Sequence, residues 1–316
     1  MNQQAKKKPI VKWQKPNVGV MTALIPAIIA SVYYFGLRSL ILLAVVTVSG
    51  FLTEYIFLKA YYKEPVSSAV FVTCFLFTLT LPPTLPIWIA VVGIVFGVLF
   101  GKMVFGGFGR NIFNPAITGR AFIYVSFGAP MTAEWVNPFK GFPGGFGAFA
   151  SDAVTSATPM MQIAKGAEVS KVSLLLGNIS GCLGETSAIL LLIGGIYIIV
   201  KKFASYRIVI SGTLSMLLIQ TVLWLFRVKG IIDPPSALLG GGFMLGILYM
   251  ATDPVSASQT NPGRWLYGTF IGAVTAVIRN FSIWSGGVMF AILLGNMFAP
   301  ILDYYIKQAK KKGAGK

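Results

Sequence analysis

The chain of 316 residues has no histidine and only two cysteines, Cys74 and Cys182. The first absence removes His-ligated haem, the common zinc sites and His-based acid–base catalysis. The two thiols lie far apart inside apolar stretches, so neither a metal tetrad nor a disulfide framework can be built from them. Charge is also scarce: 11% of residues are charged and 55% hydrophobic, where an ordinary soluble domain carries about 25% charge. That balance excludes a soluble globular protein. Acid is scarcest of all, with 9 Asp plus Glu against 26 Lys plus Arg, a net charge of +17. The cations are dispersed among the ends of apolar runs and do not form one basic face, so no nucleic-acid partner is expected and the lipid bilayer is.

What the sequence does have is long apolar runs. Crossing the hydrocarbon layer takes roughly 20 helical residues, and about ten runs approach that length: 20–36, 37–58, 67–82, 86–105 and 112–129, then 183–200, 206–226, 236–252, 265–281 and 284–303. Lipid leaves no partner for a free peptide group, so these segments are expected to be helices. The first is read as uncleaved, since no small-residue cleavage site follows the basic start. Ten crossings place both termini on one side. Eighteen cations then fall on that side and seven, among them Lys140, Lys171 and Arg279, on the other, with Arg120 inside a span. The positive-inside rule makes the terminal side cytoplasmic and the longest loop, about 130–172, external.

The two halves of the chain echo one another. Glu64-Pro65-Val66-Ser67-Ser68-Ala69 follows the second run and Asp233-Pro234-Pro235-Ser236-Ala237 the seventh, while Asn111-x-Phe113-x-Pro115 is matched by Asn296-x-Phe298-x-Pro300. Five crossings per half is an odd number, so the halves must be inverted, an arrangement that builds sites near the midplane in many transporters. The expected organisation is an N-terminal repeat over 1–129, an outer loop over 130–172 and a C-terminal repeat over 173–316.

The outer loop contains Ser151-Asp152-Ala153-Val154-Thr155-Ser156-Ala157-Thr158-Pro159-Met160. Small and hydroxylated residues around one acid predict an exposed turn, and Pro159 biases Thr158 towards an extended backbone that presents its side chain. No base or oxyanion arrangement accompanies the hydroxyl, so it is no nucleophile for acyl transfer. Such a threonine gains interest mainly as an acceptor for a group attached by another enzyme.

The run from Asp152 to Thr158 resembles the Asp-x-x-Ser/Thr-Gly/Ser-Ala-Thr signal at which a flavin transferase links FMN through its phosphate to the last threonine. Gly106-Gly107-Phe108-Gly109-Arg110-Asn111-Ile112-Phe113-Asn114-Pro115-Ala116, Gly181-Cys182-Leu183-Gly184-Glu185-Thr186-Ser187 and Met250-Ala251-Thr252-Asp253-Pro254-Val255-Ser256 extend the likeness over the chain. It resembles the RnfD/NqrB family, and the modest length favours the RnfD branch. The resemblance implies a covalent FMN on Thr158, with Asp152, Ser156 and Ala157 completing the acceptor motif. It also implies partner subunits of an Rnf-type complex that pass electrons between ferredoxin and NAD⁺ while Na⁺ or H⁺ moves outward. A second, non-covalent flavin (riboflavin) would line up with the interrupted Asn114-Pro115 and Asp253-Pro254 regions.

Charged residues inside spans default to a functional reading. Glu54 and Glu185 are either ion-pathway carboxylates or partners for helix ends and other subunits. Arg120 pairs with a phosphate or, in the plainer reading, with a carboxylate inside the bundle. Asp253 and Asp303 stand close to the inner boundary. Phe142, Phe146 and Phe149 near the acceptor are candidates for stacking on a flavin ring, whereas Cys74 and Cys182 read as inert buried thiols. The glycine runs 106–109 and 240–242 follow no strand, which excludes a nucleotide-binding fingerprint. A cofactor-free solute channel or transporter is the rival reading of the same repeats.

Overall fold

A computed structural model describes residues 9–133, 135–150, 158–164, 167–185, 187–228, 230–282 and 287–314. The fold is all-α. Its only sheet among these residues is a parallel pair of two-residue strands, β1 (Val11–Lys12) and β2 (Val66–Ser67), with Val11 beside Val66. The first half contains α1 (Lys15–Phe35), α2 (Arg38–Phe57), α3 (Ala69–Leu79), α4 (Ile87–Gly101) and α5 (Pro115–Ser126). Short helices α6 (Gly128–Thr132), α7 (Pro159–Ala164) and α8 (Lys171–Leu176) occupy the long connection. The second half holds α9 (Ala188–Val200), α10 (Tyr206–Leu225), α11 (Pro234–Leu239), α12 (Phe243–Leu245), α13 (Asn261–Phe281) and α14 (Val288–Ala314).

Among the described residues five helical stretches are long and apolar enough to cross a membrane: Lys15–Phe35, Arg38–Tyr62, Ile87–Phe105, Tyr206–Leu225 and Val288–Lys312. The protein is a multi-pass membrane protein. Several of the other expected spans are short or broken, for local reasons. Helix α3 stops at Leu79 because Pro82, Pro83 and Pro86 lie ahead, and proline neither donates a helical bond nor tolerates a helical predecessor. The expected span over 183–200 begins only at Ala188, after a run of turns. The span over 236–252 is cut at Gly240-Gly241-Gly242, where Gly241 and Gly242 take φ of +64° and +67°, and resumes as α12 and a π-helical turn over Gly246–Met250.

Close helix contacts depend on small residues, as is usual in lipid. Where α10 crosses α13, a methyl group on Gly272 would fall on the Gly212 carbonyl oxygen, and one on Gly268 on the Ser211 hydroxyl. Helix α1 packs along α9, and α5 meets α14. The turn between α1 and α2 is bound by the long connection, with Leu37 and Arg38 amides donating to the Ala148 and Phe149 carbonyls. That connection therefore lies on the face opposite β1 and β2, here called the far face.

Candidate functional site

Three polar clusters lie along the bundle, one at each face and one between them. On the far face, Thr158 precedes α7. Its carbonyl accepts from the Gln162 amide at 2.9 Å and its hydroxyl from the Met161 amide at 3.4 Å. The expected exposure of Thr158 is corrected here: it is only 8% exposed. The cause is Met160, whose sulfur lies against Gly240 and whose Cγ lies against Gly241, drawing the first turn of α7 down onto the glycine break. Asp152, Ser156 and Ala157 lie outside the described residues. Phe142, Phe146 and Phe149 are exposed, and Phe146 tilts against Tyr33 at a centroid distance of 5.9 Å.

Beneath this loop the chain ends of two broken segments meet. The Leu183 amide donates to the Leu81 carbonyl at 3.0 Å and the Gly184 amide to the Leu79 carbonyl at 2.6 Å. Arg120 closes the junction, donating to the Thr80 carbonyl and reaching the Cys182 sulfur at 3.6 Å; the same thiol also meets Glu185. Glu185 faces Gly242, with a carboxylate oxygen 2.7 Å from where a Cβ would stand, so the glycine there makes room for the acid. Arg279, expected in an outer loop, is instead buried at the end of α13. Its guanidinium donates to the carbonyls of Ala237 and, at 3.0 Å, of Gly241. The reason is the same glycine break, which turns two backbone carbonyls towards α13.

At the terminal face Glu54 forms an ion pair with Lys102 at 2.6 Å, and both side chains are at most 2% exposed. Glu54 also accepts from the Ser67 amide. Lys102 turns inward because α4 ends beside α2, where the buried Glu54 carboxylate stands. Next to the pair opens a recess lined by Asn111, Asn114, Pro115, Asp253 and Pro254, with the aromatic rings of Phe108, Phe203 and Tyr249. Asn114 is the N-cap of α5, accepting from the Ala116 and Ile117 amides, and it donates to the Met250 carbonyl. Asn296 accepts from the Asn114 amide at 3.1 Å and donates to Tyr267. Asp253 accepts from Val255 and Ser256, and Asp303 takes four bonds from Ser258, Gln259 and Thr260, so Asp303 is held as a clasp on the start of α13.

Cys74 and Cys182 are buried free thiols, and no group of three potential metal ligands occurs among the described residues. Sequence reasoning missed Lys102 and Arg279 as buried cations. The signal that could have found Lys102 is the lone acid Glu54 within an apolar run, which needs a partner.

The sequence model of the NQR2, RnfD, RnfE family matches residues 7–312, which takes in all three clusters. The chain belongs to this family. Among curated relatives it is similar to the B subunit of the Na(+)-translocating NADH-quinone reductase of Klebsiella pneumoniae (strain 342), 40% identical over 269 residues covering 79% of this chain and 62% of the relative. The corresponding proteins of Ectopseudomonas mendocina (strain ymp) and Neisseria meningitidis serogroup B, which carry the same name, are each 39% identical, over 258 and 261 residues, with the same coverage. The chain thus spans about 62% of the length of these relatives.

Proposed function

We propose that the chain is the flavin-bearing membrane subunit of an Rnf-type electron-transport complex, relaying electrons between ferredoxin and NAD⁺ coupled to Na⁺ or H⁺ translocation. The observation that carries this reading is the family match combined with the acceptor motif, whose last residue, Thr158, stands on the face opposite the β1–β2 pair. In this reading the termini are cytoplasmic, the Thr158 loop is external, and the membrane is the cytoplasmic membrane of a bacterium or archaeon. The partners are the other membrane and peripheral subunits of the complex, together with a flavin transferase during maturation. The contacts of α1 with α9 and of α5 with α14, each between helices at equivalent places in the two halves, support two inverted five-helix repeats.

The residues present fit a phosphate-linked flavin. The Thr158 hydroxyl is the attachment point, and the loop rests on the glycine break that also contacts the Arg279 guanidinium, a group suited to phosphate. When bound, FMN supplies reversible electron transfer. The chain's part is to hold it: α7 fixes the threonine, and Met160 seats α7 on the bundle. The second flavin, riboflavin, belongs in the recess beside Lys102, where asparagine amides and three aromatic rings offer polar and stacking contacts. Glu54 and Glu185 stay the candidates for an ion path. Because Glu54 is neutralised by Lys102, an ion entering there must displace the ammonium.

The test is mass spectrometry and in-gel fluorescence of the chain expressed with a flavin transferase. An FMN-sized adduct on the Thr158 peptide, lost in Thr158→Ala, is expected; a colourless protein with no adduct would favour a cofactor-free channel. A second reading, a subunit of an NADH–quinone reductase, is favoured by the names of the relatives. Copurified subunits separate the two, since the assembled complex should reduce its flavins from reduced ferredoxin in one case and only from NADH in the other.

A further inference from the structure

Among the described residues Arg279 has too little negative charge around it. The residue is 6% exposed at the last turn of α13, and its Nε is buried without a hydrogen-bond partner among the described residues. Its two other nitrogens meet the carbonyls of Ala237 and Gly241, and the helix C-terminus adds a partial negative charge. None of these is a formal anion. Among the described residues no carboxylate lies within ion-pair distance of it: Glu54 belongs to Lys102 and Asp233 to Lys171. Glu185 is the acid whose charge reaches Arg279, but it is shared with Arg120, to which the Cys182 thiol joins it. Among the described residues one buried guanidinium, that of Arg279, and one half-buried, that of Arg120, therefore share one carboxylate, which leaves one positive charge uncompensated where such charges are costly.

The uncompensated charge lies beside the acceptor loop. The position of a Cβ on Gly241 is 2.8 Å from the Arg279 Nη2 and 3.5 Å from the Met160 Cγ, so one glycine touches both the guanidinium and the first turn of α7. Thr158 is two residues before Met160. A phosphate esterified on one side to a flavin ribityl chain and on the other to threonine carries a single negative charge, the charge this cluster lacks.

We propose that Arg279 is the counter-ion of the phosphodiester that joins FMN to Thr158, so that attachment of the flavin completes the charge balance of the cluster beneath the far-face loop. This rests on the flavin reading above. Arg279 is a positioning residue: it holds the phosphate and thereby the tether of the ring, while taking no part in electron transfer.

The full chain is prepared in lipid nanodiscs with and without a coexpressed flavin transferase, as wild type and as Arg279→Gln, and its thermal midpoint is measured. Flavin attachment should raise the wild-type midpoint by roughly 3–6 °C, the scale of one charge-assisted bond in a chain of this size. The rise should be lost in Arg279→Gln and kept in Arg279→Lys. If Arg279 serves only to tie α13 to the glycine break, the glutamine variant lowers both forms equally and the increment survives, which overturns the proposal. The competing anion is Asp152, in the acceptor motif; if it is the partner, flavin-free Asp152→Asn melts as low as flavin-free Arg279→Gln and flavin attachment leaves the wild-type midpoint unchanged, which overturns the proposal. Should the glutamine variant fail to accumulate, hydrogen exchange on wild type decides: peptides covering 236–242 and 275–282 should exchange more slowly once flavin is attached, and unchanged exchange overturns the proposal. Mass spectrometry of the wild type separates the two layers. No adduct on Thr158 overturns both readings, whereas an adduct with no effect of Arg279 on the increment overturns this one alone.

Discussion

Glu54 and Lys102 sit 2.6 Å apart with almost no access to water, so each depends on the other. Glu54→Gln should destabilise the chain by about 3–5 kcal/mol because the ammonium is left buried without its partner. The double replacement Glu54→Gln with Lys102→Met should recover most of that loss in thermal unfolding, and a double variant as weak as the single one would show that the pair is not the source of the effect. Asn114→Ala removes the cap of α5 and the bond to Met250, and should cost about 1 kcal/mol from the cap alone, checked by the same melt. Thr158 stands out in the sequence because its surroundings resemble a motif. Lys102 and Arg279 were not. A cation at the end of an apolar run has the same neighbours in sequence whether it reaches out to water or turns inward, and only the position of Glu54 or of two backbone carbonyls decides which.

Among the helices, the tightest approach is that of α10 and α13, where glycine backbone takes the place of side chains. Gly272→Leu should force the pair apart and cost on the order of 1–3 kcal/mol by overpacking, read as a lower unfolding midpoint. Gly128→Ala, with nothing within 4 Å of the added methyl, is the control and should leave the midpoint where it is. Apolar runs located the helices well, since lipid forces every long run to bond internally. They did not disclose the interruptions. Proline ahead of the α3 end and the Gly240–Gly242 triplet were visible as breakers, yet the residues on either side of both are as apolar as those of an unbroken span, and a run that bends back reads the same as one that crosses. The half-helices follow from these breaks, which is why the candidate site was legible as residue types and not as a place.

For the molecule as a whole, the arrangement of faces predicts which positions an impermeant reagent can reach. In intact cells Phe142→Cys, at a site 92% exposed, should react with a membrane-impermeant maleimide, whereas Lys310→Cys on the exposed end of α14 should react only after permeabilisation. The buried native thiols Cys74 and Cys182 should stay silent in both. The opposite pattern would reverse the orientation given by the charge bias. The two backbone hydrogen bonds that join Leu183 to Leu81 and Gly184 to Leu79 bear on how such a molecule can move. They stitch a strip of the early chain to a strip of the late chain in the water-poor interior, where an unpaired amide costs several kcal/mol. Swinging one half against the other would have to unpick that stitching, so the protein has no slip plane along it. A side chain stepping aside costs less than parting these two strips.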